Sequence, residues 1–208
     1  MHPEILIEKI LLGITLAMPI GPVSVEMIKR GLSEGFWAAF KVRLGGAVGN
    51  TLCLVVSYFS LAILLEYPLI INSIALTGAI YLMFMGIKNA LKKSVNLEKD
   101  NKSLFNIERS AVLIGFILSL ANPISIVFWL GIFAASMGVQ EVGLLNFINN
   151  MFIIVGVLIW GVLLSLALGV GKNYLNSTTV LIVNRVAGAV LFCFGLKYTW
   201  LNIEKMFL

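Results

Sequence analysis

Histidine, cysteine and charge are scarce in this chain. It has one histidine, His2, and two cysteines, Cys53 and Cys193, which lie far apart with no CxxC spacing. That leaves no thiol or imidazole set for a soft metal and no disulfide or redox pair, so both cysteines read as buried, inert thiols. Charged residues make up only 12% of the 208, and apolar residues 60%, with a mean hydropathy of +1.00. Such a balance lies far from that of a soluble domain. Glu26 is the only acid deep within an apolar run. A paired acid/base or nucleophile constellation is therefore missing, and an enzyme is not expected.

What is present is apolar length. A membrane-crossing helix needs about 20 mostly apolar residues, and six runs qualify, at about 5–32, 38–65, 69–91, 109–136, 146–170 and 178–202. The expected class is an all-α integral membrane protein. The first run has Glu4 and Glu8 where a signal peptide carries positive charge, and no small-residue cleavage site follows, so it is read as retained.

The net charge of +5 could suggest nucleic acid, but its distribution points to a bilayer. Loops after the first, third and fifth runs collect Lys29, Arg30, Lys41, Arg43, Lys88, Lys92, Lys93, Lys99, Lys102, Arg109, Lys172 and Arg185, against Lys9, Lys197 and Lys205 on the other side. By the positive-inside rule the first set is cytoplasmic and both termini are extracytoplasmic, in the cell membrane. Some of this charge would meet anionic lipid headgroups.

A short motif recurs about a hundred residues apart: Gly21-Pro22-Val23-Ser24-Val25 and Asn122-Pro123-Ile124-Ser125-Ile126. A related pair, Gly78-Ala79-Ile80 with Phe84, Gly86, Ile87 and Lys88, answers to Gly188-Ala189-Val190 with Phe194, Gly195, Leu196 and Lys197. This suggests two three-span units, 1–91 and 109–208, joined by a hydrophilic cytoplasmic linker at 92–108. Three is odd, so the second unit must insert upside down, giving six helices in a 3+3 inverted repeat. Small residues at four-residue spacing, Gly45 with Gly49 and Gly161 with Ser165 and Gly169, suit close helix packing or, alternatively, a homodimer face.

Proline removes a backbone donor and crowds the preceding turn, so the first and fourth helices should break. Irregular backbone at membrane depth is tolerated only where protein buries it or where it lines a cavity. After each break the first amides lack intrahelical acceptors: those of Val23, Ser24 and Val25, and those of Ile124, Ser125 and Ile126. Facing one another near the midplane, they would favour a carboxylate, helped by the Ser24 and Ser125 hydroxyls. Carbonyls freed upstream, at Met18, Ile20, Leu120 and Ala121, could take an ammonium. An amino acid meets both demands. The alternative is that the prolines only kink their helices.

The predicted substrate-binding set is Gly21, Pro22, Val23, Ser24, Glu26, Asn50, Asn122, Pro123, Ile124 and Ser125. Glu26 stands four residues beyond Pro22, about 6 Å of helix rise. It could bind a substrate amine or carry a proton, or simply pair with Lys29 or Arg30 at helical spacing. Asn50, Trp160, and Asn184 with Arg185 are further polar or amphipathic candidates; for Asn50 and Trp160 the alternative is packing, and for Arg185 an interfacial anchor.

Taken together, Pro19-x-Gly21-Pro22, Gly46-x-x-Gly49-Asn50, Asn122-Pro123, Trp160 and Asn184-Arg185-x-x-Gly188 resemble the lysine exporter (LysE) superfamily across nearly the whole chain. The resemblance implies efflux of amino acids or related small solutes, driven by an ion gradient, usually protons. Where relatives often carry an aspartate, this chain has Asn50, which cannot titrate. Coupling through that position would then fall to Glu26 or to another ion, or be absent. No cofactor is implied. An exporter of another small ion or metal cation, or a non-transport membrane subunit, is the alternative.

Overall fold

A computed structural model describes residues 3–63, 67–91, 110–120, 129–132, 134–135, 143–170 and 177–207. Among them every regular element is α-helical: α1 (Pro3–Ala17), α2 (Pro22–Glu34), α3 (Phe36–Ile63), α4 (Pro68–Ala90), α5 (Ala111–Leu120), α6 (Leu144–Val170) and α7 (Ser177–Phe207). Residues 129–132 and 134–135 are also helical. Among the described residues, four helices are long and apolar enough to cross a membrane. The pair α1 and α2 makes a fifth such span if it is taken as one crossing bent by 73°. The break predicted at Pro22 is thus present. The second motif, Asn122, Pro123, Ile124 and Ser125, lies outside the described residues, as does the 92–108 linker.

The outer surface is apolar: Trp37, Ile63, Leu69 and Trp200 are each more than two-thirds exposed. In water such a surface would be unfavourable; facing lipid it is the expected one. Several hydroxyls within the spans are satisfied within their own helices, although the buried Ser165 Oγ has no partner among the described residues. Thr15, Thr51, Ser57 and Thr199 donate to the carbonyls of Leu11, Ala47, Cys53 and Gly195 at 2.7–2.9 Å, which avoids leaving donors unpaired in hydrocarbon. Cys53 is buried as expected, whereas Cys193 is exposed, because its position on α7 faces away from the helices that α7 packs against.

Three helix pairs build the core: α4 with α7, α3 with α5, and α1 with α6. Each contains glycines where no Cβ fits. A methyl on Gly45 would overlap the Val112 carbonyl, and one on Gly115 the Val42 carbonyl; a methyl on Gly13 would overlap the Ile153 carbonyl, and one on Gly156 the Ile10 carbonyl. Backbones come this close only between small residues. The Gly45 and Gly49 stripe therefore faces α5 within the same chain, and Gly161 lies against the Arg43 stem. The packing alternative for these stripes is the one seen.

Contacts of α1 with α6 repeat those of α3 with α5. Gly156 meets Ile10 and Ile14, and Gly45 meets Val112 and Phe116; Gly13 meets Ile153 and Gly156, and Gly115 meets Val42 and Gly46. Residues of α1 map onto α5 at one constant sequence offset throughout. Between α2 and α3 the chain reverses at Gly35, whose φ of +87° only glycine adopts readily; its amide closes the helix on the Gly31 carbonyl at 3.0 Å. This turn lays α2 against α3 and α6, with Met27, Ile28, Ala39, Val42 and Leu168 in a small core of their own.

Candidate functional site

Between α1 and α2 the chain leaves helical geometry at residues 18–21. Gly21 is extended, with φ −116° and ψ −175°, and Pro22 starts α2, where its missing amide is no loss. No side chain caps this helix, and the first intrahelical bond runs from the Val25 amide to the Gly21 carbonyl at 2.9 Å. The amides without a partner among the described residues are thus those of Val23 and Ser24. Val25, expected to share in the exposed set, is already engaged.

The break is held from across the fold. The Ile20 amide, which the interruption strips of a helical acceptor, donates to Asn184 Oδ1 on α7 at 3.1 Å. Asn184 is fully buried. This satisfies one of the backbone groups that would otherwise be costly at such depth, and it gives Asn184 a structural role.

A cavity of about 190 Å³ opens at the break. By the ~30 Å³ that each water takes up in the liquid, it has room for about six waters or one small solute. Pro19, Gly21, Pro22, Val23 and Ser24 form one wall; Arg43 and Asn50 of α3 form another; Leu16, Ala17, Leu118, Ser119, Trp129 and Val157 complete it. The result is a mostly apolar chamber with a few polar groups in its lining, the usual make-up of a small-molecule site. Asn50 is fixed by Ser119, whose hydroxyl donates to Asn50 Oδ1 at 2.7 Å and ties α3 to α5.

Of the predicted residues, the structure brings Gly21, Pro22, Val23, Ser24 and Asn50 together around this cavity. Glu26 is not among the lining residues; its carboxylate accepts from Arg30 Nε at 2.7 Å, the helical i,i+4 pair. Trp160 also lies off the cavity, with its Nε1 buried and without a hydrogen-bond partner among the described residues.

Arg43 was missed. Charge counting assigned it to a cytoplasmic loop, yet its residue is only 4% exposed, within α3. Its Nη2 lies 3.4 Å from Ser24 Oγ, and its Nε has no partner among the described residues. One sequence signal could have revealed it: Arg43 falls inside the 38–65 run, seven residues before Asn50, and so on the same helix face. Lys9 was likewise counted as a loop charge. It is buried on α1, 5.9 Å from the Tyr198 ring centroid.

A helical membrane protein with a broken span and a chamber at the break belongs to the class of solute translocators. The family described as LysE type translocator matches residues 14–200. A candidate amino acid efflux protein of Bacillus subtilis, YcgF, is 30% identical over 98% of this chain and 99% of its own. The chemotactic transduction protein ChpE of Pseudomonas aeruginosa is 26% identical over 92% of this chain and 95% of its own. A leucine efflux protein of Enterobacter sp. strain 638 is 26% identical over 54% of each chain. No solved structure matches. The chain belongs to the LysE type translocator family, and it is a multi-pass membrane transporter, not an enzyme.

Proposed function

We propose that this protein exports amino acids across the cell membrane as a secondary transporter, with the chamber at the Pro22 break as its substrate site. The observation that carries this is the coincidence of two amides without a partner among the described residues, Val23 and Ser24, with a largely apolar chamber of about 190 Å³. The amides and the α2 N-terminus suit a carboxylate. Leu16, Leu118, Trp129 and Val157 suit an aliphatic side chain, in keeping with relatives named for amino acid and leucine efflux.

The architecture we propose is six spans in a 3+3 inverted repeat, 1–91 and 109–208 about the 92–108 cytoplasmic linker, with both termini extracytoplasmic. The matching glycine contacts support it: an inverted repeat exchanges α1 with α5 and α3 with α6, and so converts one contact pair into the other. In this arrangement Asn122, Pro123, Ile124 and Ser125 would bring a second helix N-terminus to the same substrate. Alternating access would follow from rocking of one half against the other. Coupling to a proton gradient is assigned to Glu26, on the helix that begins at the site. Counterflow of radiolabelled amino acids in proteoliposomes tests the function; no counterflow with any amino acid would reject it.

A further inference from the structure

The chamber contains a cation with no counter-ion among the described residues. Arg43 is 4% exposed, lines the cavity beside Ser24, and carries its Nε proton to no acceptor among the described residues. The ion pairs among the described residues are Glu26 with Arg30 and Glu8 with Lys197, and neither includes Arg43. No described lining residue is an acid. An unpaired guanidinium in a low-dielectric interior is strongly unfavourable unless something anionic neutralises it.

From this we propose that Arg43 is the substrate's carboxylate anchor and sets the charge class the site accepts. The inference rests on reading the chamber as the substrate site. Arg43 and the α2 N-terminus lie on the same side of the chamber, since Ser24 is both the neighbour of Arg43 Nη2, at 3.4 Å, and the bearer of one of the amides without a partner among the described residues. A carboxylate there would accept from a guanidinium fork and from backbone donors at once, the strongest arrangement available for that group. A fixed positive charge with no acid beside it repels a second cation. The site therefore takes neutral or acidic solutes bearing a carboxylate and rejects basic amino acids.

Four probes separate the parts of this inference: L-leucine, 4-methylpentanoate (the same skeleton without the amine), L-leucinamide (without the carboxylate) and L-lysine. Binding is read as the shift in melting temperature of the purified, detergent-solubilised protein. Leucine and 4-methylpentanoate should stabilise the wild type, leucinamide and lysine should not. Arg43→Gln should weaken both carboxylates on the order of tenfold to a hundredfold, the value of a charge-assisted hydrogen bond, and Arg43→Lys should restore part of it.

Leucinamide binding as well as leucine, Arg43→Gln binding within about twofold of wild type, or no carboxylate response in the wild type would each overturn the assignment. If Arg43→Gln does not fold, the wild-type probe series decides alone. A response to 4-methylpentanoate but not to leucine would keep the anchor and reject amino acids. Leucine binding unaffected in Arg43→Gln would do the reverse.

Discussion

Ile20 and Asn184 are 164 residues apart in sequence, yet the Ile20 amide donates to Asn184 Oδ1 at 3.1 Å. This bond supports the broken backbone that makes the chamber. Asn184→Ala should leave a buried amide unsatisfied and cost about 1–3 kcal/mol. Asn184→Asp keeps the acceptor and should cost less. Thermal unfolding of the purified variants measures both; equal stability of Asn184→Ala and wild type would remove this role.

Gly13 and Gly115 meet backbone carbonyls in equivalent ways, Ile153 in one case and Val42 in the other. Gly13→Val and Gly115→Val should each destabilise the fold by at least the ~1–3 kcal/mol typical of overpacking, because a helix backbone must shift in both. Melting temperatures should fall to a similar extent. A loss in only one variant would contradict the proposed equivalence of α1 and α5.

Glu26 is engaged by Arg30 and lies off the chamber lining. Glu26→Gln should therefore leave the KM for transport close to that of wild type while abolishing the response to an imposed pH gradient. Flux in proteoliposomes, with and without the gradient, checks both parts. A response to the gradient equal to wild type would exclude Glu26 as the proton carrier.

Asn50 and Arg43 line the same chamber, and Asn50 accepts from Ser119 at 2.7 Å. Asn50→Asp should place a carboxylate in the chamber that Arg43 also lines, compete with the substrate's own carboxylate, and lower apparent affinity for neutral amino acids by about tenfold. Competition assays in proteoliposomes would read the change. Unaltered affinity would show that the two side chains do not share a substrate group.

Much of the plan was legible in residue order. Apolar runs announce helices because lipid demands length and apolarity, and Pro22 breaks the first of them because proline cannot donate to the preceding turn. Arg43 was illegible for a physical reason. Counting charges by run treats every Lys or Arg as a loop residue, whereas a guanidinium can remain inside a membrane protein where a chamber and a ligand receive it. Lys9 escaped in the same way. The Ile20 to Asn184 bond joins the two proposed halves, and no local pattern in either half signals it. Glycine spacing showed that helices approach closely, but only the fold shows that Gly45 meets α5 rather than a second chain.

The most direct test of the central claim is amino acid counterflow through purified protein in proteoliposomes, comparing wild type with Pro22→Leu. The account predicts rapid exchange of a neutral aliphatic amino acid by the wild type, and loss of at least about 90% of it in Pro22→Leu despite normal membrane insertion, because closing the break would remove the extended turn at Gly21 and the helix N-terminus beside the chamber. Equal exchange by the two proteins would contradict it.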